Sequence, residues 1–77
     1  MVVDVLGFQN LDFEGQNGQR VKGINLFTAF VDEGVTGMRT DRFFLRDGLA
    51  LPKDFKVNDE VTLYFDRKGR VEKIEKI

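Results

Sequence analysis

Hydrophobic and polar residues alternate along the chain in short runs, and glycine-containing turns separate these runs. Alternation with a period of two is typical of β-strands, in which successive side chains point to opposite faces of a sheet. The first predicted strand continues to Phe13, with a break near Gly7. The five predicted strands are Val2–Phe8, Arg20–Asp32, Val35–Leu45, Val61–Phe65 and Arg70–Ile77.

The segments between these runs carry turn signals. Gly15–Gly18 and Asp66–Gly69 are predicted hairpin turns, because Asn-Gly and the glycine at position 69 tolerate positive φ. Glu33-Gly34 turns the second strand into the third, and residues 47–60, with the only proline, predict an irregular connection with room for at most one helical turn. Few windows of helical length lack a glycine. The pattern therefore predicts an all-β fold, a five-stranded OB-like small barrel, with residues 1–77 forming one domain.

The second predicted strand carries large apolar side chains on both faces. Leu26 and Phe30 lie on one face, whereas Phe27 and Val31 lie on the other. A sheet with one solvated face would place polar residues there. We expect the second face to be covered by a loop or the curvature of the barrel itself, by a second subunit, or by a ligand.

Cysteine and histidine are both absent. Disulfides are therefore impossible, and the usual zinc ligands and the commonest acid–base group are missing. Asp41, Asp59 and Glu60 are interpreted as solvated surface carboxylates rather than as a metal or acid–base pair. We expect no catalytic residue, no metal and no cofactor, so the chain is predicted not to be an enzyme. A 77-residue domain without such cross-links gains stability most readily by oligomerisation.

The net charge of −1 argues mildly against nucleic acid, but all twelve lysines and arginines lie from Arg20 onward. A locally positive field is therefore compatible with the neutral total. The sequence shows no signal peptide and no apolar run approaching the roughly 20 residues of a membrane span. We expect a cytoplasmic protein without a membrane partner.

Basic and aromatic residues gather on the second and third strands and in the last hairpin. Such a combination is typical of non-specific single-strand binders, in which cations neutralise phosphates and flat side chains stack on bases. Each residue also has a plainer interpretation, as a solubilising strand charge or a core ring. Phe43 and Phe44 are adjacent, so one ring points to each face. The predicted nucleic-acid contacts are Arg20, Lys22, Phe27, Arg39, Arg42, Phe44, Tyr64, Arg67 and Lys68.

An ordered set of residues resembles the gene V-type single-stranded DNA-binding proteins of filamentous phages and conjugative elements. The resemblance extends from about Val5 to Ile77. The last stretch of matching residues resembles the strand–turn–strand with which the family's sequences close. The residues that carry it are Gly18-x-x-Val21-x-Gly23-x-x-Leu26-Phe27, Val35-x-Gly37, Arg42-Phe43-Phe44 and Asn58-Asp59-Glu60-Val61-x-Leu63-Tyr64-Phe65-Asp66-Arg67-x-Gly69-Arg70-Val71.

This resemblance implies an OB-related barrel that forms a two-fold homodimer. It also implies sequence-independent binding of single-stranded DNA, or alternatively RNA, during replication or transfer of a phage or mobile element. A second hypothesis is a small protein–protein interaction module, in which the apolar second strand meets a protein partner.

Overall fold

The computed structural model describes all 77 residues and contains five antiparallel β-strands and no helix. The predicted all-β fold with five strands is therefore confirmed. Because there is no helix, none is available to span a membrane. The strands are β1 (Val2–Glu14), β2 (Arg20–Val31), β3 (Met38–Arg46), β4 (Glu60–Phe65) and β5 (Val71–Lys76), and they form one sheet in the order β3-β2-β1-β4-β5.

The sheet curls without closing, so it resembles a barrel only in outline. β3 and β5 are the edge strands and share no backbone ladder. Beside this gap, side chains meet across the inside of the curl: the ring of Phe43 on β3 lies 5.7 Å from that of Phe65 at the end of β4.

A β-bulge interrupts the pairing of β1 with β2. Val5 pairs with Thr28 and Gly7 pairs with Phe27, so Leu6 is an extra residue with no partner on β2. A bulge bends its strand, increases the local twist and exchanges the faces of the residues beyond it. Val5 faces the core, and after the bulge it is Phe8 that shares a face with Leu26. This confirms the predicted break near Gly7.

The core lies on the concave face of the curled sheet. Thr28 is the buried polar residue within β2, and its hydroxyl donates a hydrogen bond to the carbonyl of Asp41. The 47–60 connection closes one side of the core through Phe55, whose ring lies 5.4 Å from that of Phe8. The buried apolar cluster comprises Val3, Val5, Leu26, Leu45, Val61, Leu63, Val71 and Ile74.

Strand boundaries differ from the prediction mainly at β3, which begins at Met38 rather than at Val35. Residues 33–37 form turns and bends, and Gly37 has a φ of +90° that a strand does not accommodate. The apolar Val35 suggested strand, but the backbone is still completing the reversal at that point. β2 ends at Val31, one residue early, and the 47–60 connection contains no helical turn.

The two faces of β2 are occupied differently. Leu26 is fully buried, whereas Phe27 is 39% exposed and Val31 is 83% exposed. No loop covers these two side chains, so the interpretation that a loop or the barrel's own curvature covers the second face is wrong for them.

Beyond the core, β1 and β2 continue together as a hairpin from Gln9 to Asn25, here called the wing. β3 still pairs with its base at Gly23–Asn25, and the hairpin is two-stranded only from Asp12 to Lys22. At about 3.3 Å per residue, the 13-residue β1 is nearly as long as the 42 Å long axis of the molecule. The wing tip turns through Gly18, whose φ is +73°.

Truncations on the two faces of β2 should have unequal costs. We expect Leu26→Ala to lower the free energy of unfolding by about 2–5 kcal/mol, because it leaves a cavity in a fully buried site. Phe27→Ala, one residue along on the open face, should cost about 1 kcal/mol. Urea unfolding followed by circular dichroism measures both, and a Phe27→Ala cost equal to that of Leu26→Ala would place Phe27 in the core.

Candidate nucleic-acid interface

A groove of about 570 Å³ lies where edge strand β3 approaches the β4–β5 hairpin. We call it the β3 groove. It brings three arginines and an exposed aromatic ring to one place on the surface. The lining residues are Arg42, Phe43, Phe44, Arg46, Gly69, Arg70 and Val71.

The Phe44 ring packs directly against the backbone of β2, because Gly23 has no side chain at the point of contact. A Cβ atom at Gly23 would lie 2.5 Å from Cζ of the Phe44 ring and in contact with the carbonyl oxygen of Leu45. Only glycine permits this approach. Phe44 is nevertheless 47% exposed, so the ring rests on the protein and still presents apolar surface to solvent. Its neighbour Phe43 packs against the core, which confirms that the two rings point to opposite faces.

Two of the groove's arginines are free of acidic partners. Arg42 and Arg46 lie on the same face of β3 as Phe44, one on each side of it, and neither takes part in any of the six ion pairs. Unpaired guanidinium groups present planar forks of donors that match phosphate oxygens. The groove therefore combines an aromatic surface with cations available to an anion.

Asp66 organises the hairpin that delivers Arg70 to this groove. Its Oδ1 accepts the backbone N–H groups of Lys68 and Arg70, each at 2.9 Å, and its Oδ2 accepts Nε of Arg70 at 3.0 Å. The backbone N–H of Arg70, together with its guanidinium and the N–H of Lys68, lowers the pKa of Asp66 below its ordinary 3.8. The terminal NH₂ groups of Arg70 remain unpaired.

Arg67 and Lys68 lie at the exposed tip of this hairpin, next to the groove residue Gly69. Neither side chain forms an ion pair, and both are exposed. They adjoin the β3 groove without lining it.

Arg39 does not belong to this cluster, so its grouping with Arg42 is wrong. It pairs with Phe30 of β2, on the face opposite to Arg42 and Phe44. Its Nη1 donates to Oδ2 of Asp32 at 2.8 Å. This hydrogen bond raises the pKa of Arg39 and lowers the pKa of Asp32.

Arg20 and Lys22 are also on the other face. Their side chains lie on the same face of β2 as Leu26, whereas that of Phe27 lies on the opposite face. Both form ion pairs with acidic residues. Nη2 of Arg20 lies 2.6 Å from Oδ1 of Asp12, and Nζ of Lys22 lies 3.9 Å from Oδ2 of Asp47. Arg20 and Lys22 were predicted as nucleic-acid contacts together with Phe27 and Phe44, but the structure places them on the opposite face of β2 and β3.

The two remaining aromatic candidates are separated from each other. Phe27 shares the open face with Arg42, its direct cross-strand partner. Tyr64 points outward, as the alternation with buried Leu63 predicts, but Lys73 already places Nζ 5.5 Å from its ring centroid. The backbone N–H of Leu63 donates to the carbonyl of Met1, whereas Phe27 pairs with Gly7, further along the same strand β1. Tyr64 and Phe27 are therefore roughly 20 Å apart along the strand direction.

Five of the seven groove residues lie outside the predicted set: Phe43, Arg46, Gly69, Arg70 and Val71. Gly23, which supports Phe44 from β2, was not predicted either. Strand alternation was sufficient to group Arg46 with Arg42 and Phe44 and to separate Arg39 from them. An isolated glycine within a strand signals close approach of another group, which is the situation at Gly23. Arg70 lies in the basic last hairpin that the sequence singles out, but its approach to β3 depends on how the whole sheet curls, which no local pattern specifies.

Comparisons with known protein families, with curated proteins and with solved structures found no match to this chain.

Acidification should loosen the β4–β5 hairpin through Asp66. Because the pKa of Asp66 is lower in the folded chain, its carboxylate contributes stability above pH 3.8, and this contribution is lost as the pH falls through the folded-state value. Asp66→Asn keeps the acceptor oxygen but not the charge. The free energy of unfolding should therefore fall less steeply below about pH 4 in Asp66→Asn than in the wild type. Urea unfolding at several pH values measures this difference, and parallel profiles would contradict it.

Proposed function

We propose that this chain binds single-stranded DNA without sequence preference, using the β3 groove. The observation that carries the proposal is the half-exposed Phe44 ring, fixed on Gly23 and flanked by the unpaired Arg42 and Arg46. Every base has a π-face, so a fixed ring stacks on any of them, at about 1–3 kcal/mol per base.

The distribution of charge supports this groove as the phosphate contact despite the net charge of −1. The wing bases and Arg39 are engaged by acids, whereas Arg42 and Arg46 are not. A phosphate that meets these two arginines displaces no internal partner. Arg70, Arg67 and Lys68 extend the positive surface along the hairpin.

The biological setting that we propose follows from the resemblance to gene V-type proteins. The chain would protect or organise single strands during replication or transfer of a phage or mobile element, and no catalytic step is assigned to it. Oligo(rU) in place of oligo(dT) tests whether RNA is an equal ligand.

We also propose that the chain is a homodimer. The end of the sheet far from the wing exposes apolar side chains around a groove lined by Val2, Val31 and Met38. A small core without disulfides gains buried area by covering such a surface with a second copy. If a different protein covered it, the chain would be an interaction module, which is the alternative function.

Binding to oligo(dT) should depend on salt through Arg42 and Arg46. Each neutralised phosphate contributes about −0.7 to the slope of log K against log salt for single strands. We expect Arg42→Ala and Arg46→Ala each to weaken binding and to make the slope shallower by about 0.7. Fluorescence polarisation of a labelled oligonucleotide at several salt concentrations measures both effects.

Arg39→Ala is the matched control, because it removes the same charge from the same strand but from the opposite face. It should leave the slope close to that of the wild type. If all three variants behaved alike, net charge rather than the β3 groove would account for binding. Salt-insensitive binding, or no binding, would favour the interaction module.

The dimer should be visible by sedimentation equilibrium at micromolar concentration, as a mass twice the 8.9 kDa of the chain. Val31→Asp should shift the mass toward the monomer, because it places a charge in the proposed contact. Val35→Asp, in the turn before β3, is the control. A wild type that sediments as a monomer at this concentration would contradict the proposal.

A further inference from the structure

A second groove, of about 410 Å³, lies at the base of the wing. The wing contributes Asn10, Asp12 and Lys22, and the segment that follows β3 contributes Asp47–Leu49. We call it the wing groove. It is lined mainly by polar and charged side chains.

The two grooves meet at Arg46 and are not independent pockets. Arg46 lines both of them, and Gly23, which supports Phe44 beside the first groove, lines the second. Arg46 is the last residue of edge strand β3, so a DNA strand whose base rests on Phe44 reaches the wing groove by passing Arg46 around the end of β3, onto the face that carries Lys22.

The wing groove holds one cation that a phosphate can recruit. Nζ of Lys22 lies 3.9 Å from Oδ2 of Asp47, at the outer limit of an ion pair, and both side chains are more than half exposed. Exposed pairs of this kind contribute little stability. Arg20 is held more closely, at 2.6 Å from Asp12. Of the two wing bases, Lys22 is therefore the one whose acid is more easily displaced.

We propose that the wing groove is a second subsite, which takes the phosphate of a nucleotide adjacent to the one on Phe44, and that Asp47 competes with this phosphate for Lys22. The proposal rests on the proposed function. Its consequence concerns ligand length. A short oligonucleotide occupies the β3 groove alone, whereas a longer one also displaces Asp47 and gains the contact with Lys22.

The test measures the affinity of wild type, Lys22→Gln and Asp47→Asn for a ladder of oligo(dT) lengths up to about 16 nucleotides, the upper end for one OB fold. Lys22 and Asp47 are both exposed, and circular dichroism melting verifies that each variant folds. Glu33→Gln is the control, since it removes one negative charge in the turn at the far end of β2.

With long oligonucleotides, Lys22→Gln should lower the affinity on the order of tenfold, as expected for a lost charged hydrogen bond. Asp47→Asn should raise it about two- to fivefold, because a weak competitor is removed. Neither variant should alter the affinity for the shortest oligonucleotide that binds. Any effect of Glu33→Gln on affinity should be the same at every oligonucleotide length.

Wing variants that match the wild type at every length, or that shift all lengths by one factor, would overturn the second subsite. If Arg42→Ala still weakened binding in that case, the proposed function would stand without it. A wild type that binds no oligonucleotide of any length would overturn both.

Discussion

One extra residue in β1 separates the part of the sheet that forms the core from the part that projects as a hairpin. Leu6 has no partner on β2. Because of this extra residue, odd-numbered side chains of β1 face the core before it and even-numbered side chains lie on that face after it. On one side of this bulge, Val3 and Val5 complete the core with β4. On the other side, β1 leaves the core with β2 as the wing. The bulge thus joins a curled sheet to a projecting hairpin, and the curl brings the β4–β5 hairpin close to β3.

The candidate site forms where this curl leaves the sheet open. β3 has no partner on its outer side, so its residues meet the hairpin through side chains rather than through a ladder. Gly23 lets Phe44 settle on β2, and Asp66 fixes the hairpin that carries Arg70. The cations on the opposite face are largely neutralised by acids, so the field available to an anion is concentrated at the groove.

Alternation and turn chemistry were sufficient to predict five strands, a break near Gly7, the left-handed Gly69 and the outward direction of Tyr64. The structure shows that this break is a bulge. Alternation also assigns Arg39 to the face opposite to Arg42. The prediction that Arg39 and Arg42 act together was therefore wrong because residues were grouped by strand rather than by face. The pairing of Arg20 with Asp12 depends on the β1–β2 register beyond the bulge, which no local pattern specifies. The position of Arg70 depends on the curl of the whole sheet. The predicted start of β3 at Val35 was wrong because a valine side chain favours strand, although the backbone at Val35 is still in the turn.

The central claim is that the open edge between β3 and the last hairpin is where single-stranded DNA lies. Titrating ¹⁵N-labelled protein with oligo(dT) and following backbone amide shifts tests it most directly. The account predicts the largest changes at Arg42–Arg46 and at Gly69–Val71, with little change in the turn 33–37. Shifts concentrated in that turn or around Tyr64, with the amides of β3 unmoved, would contradict it.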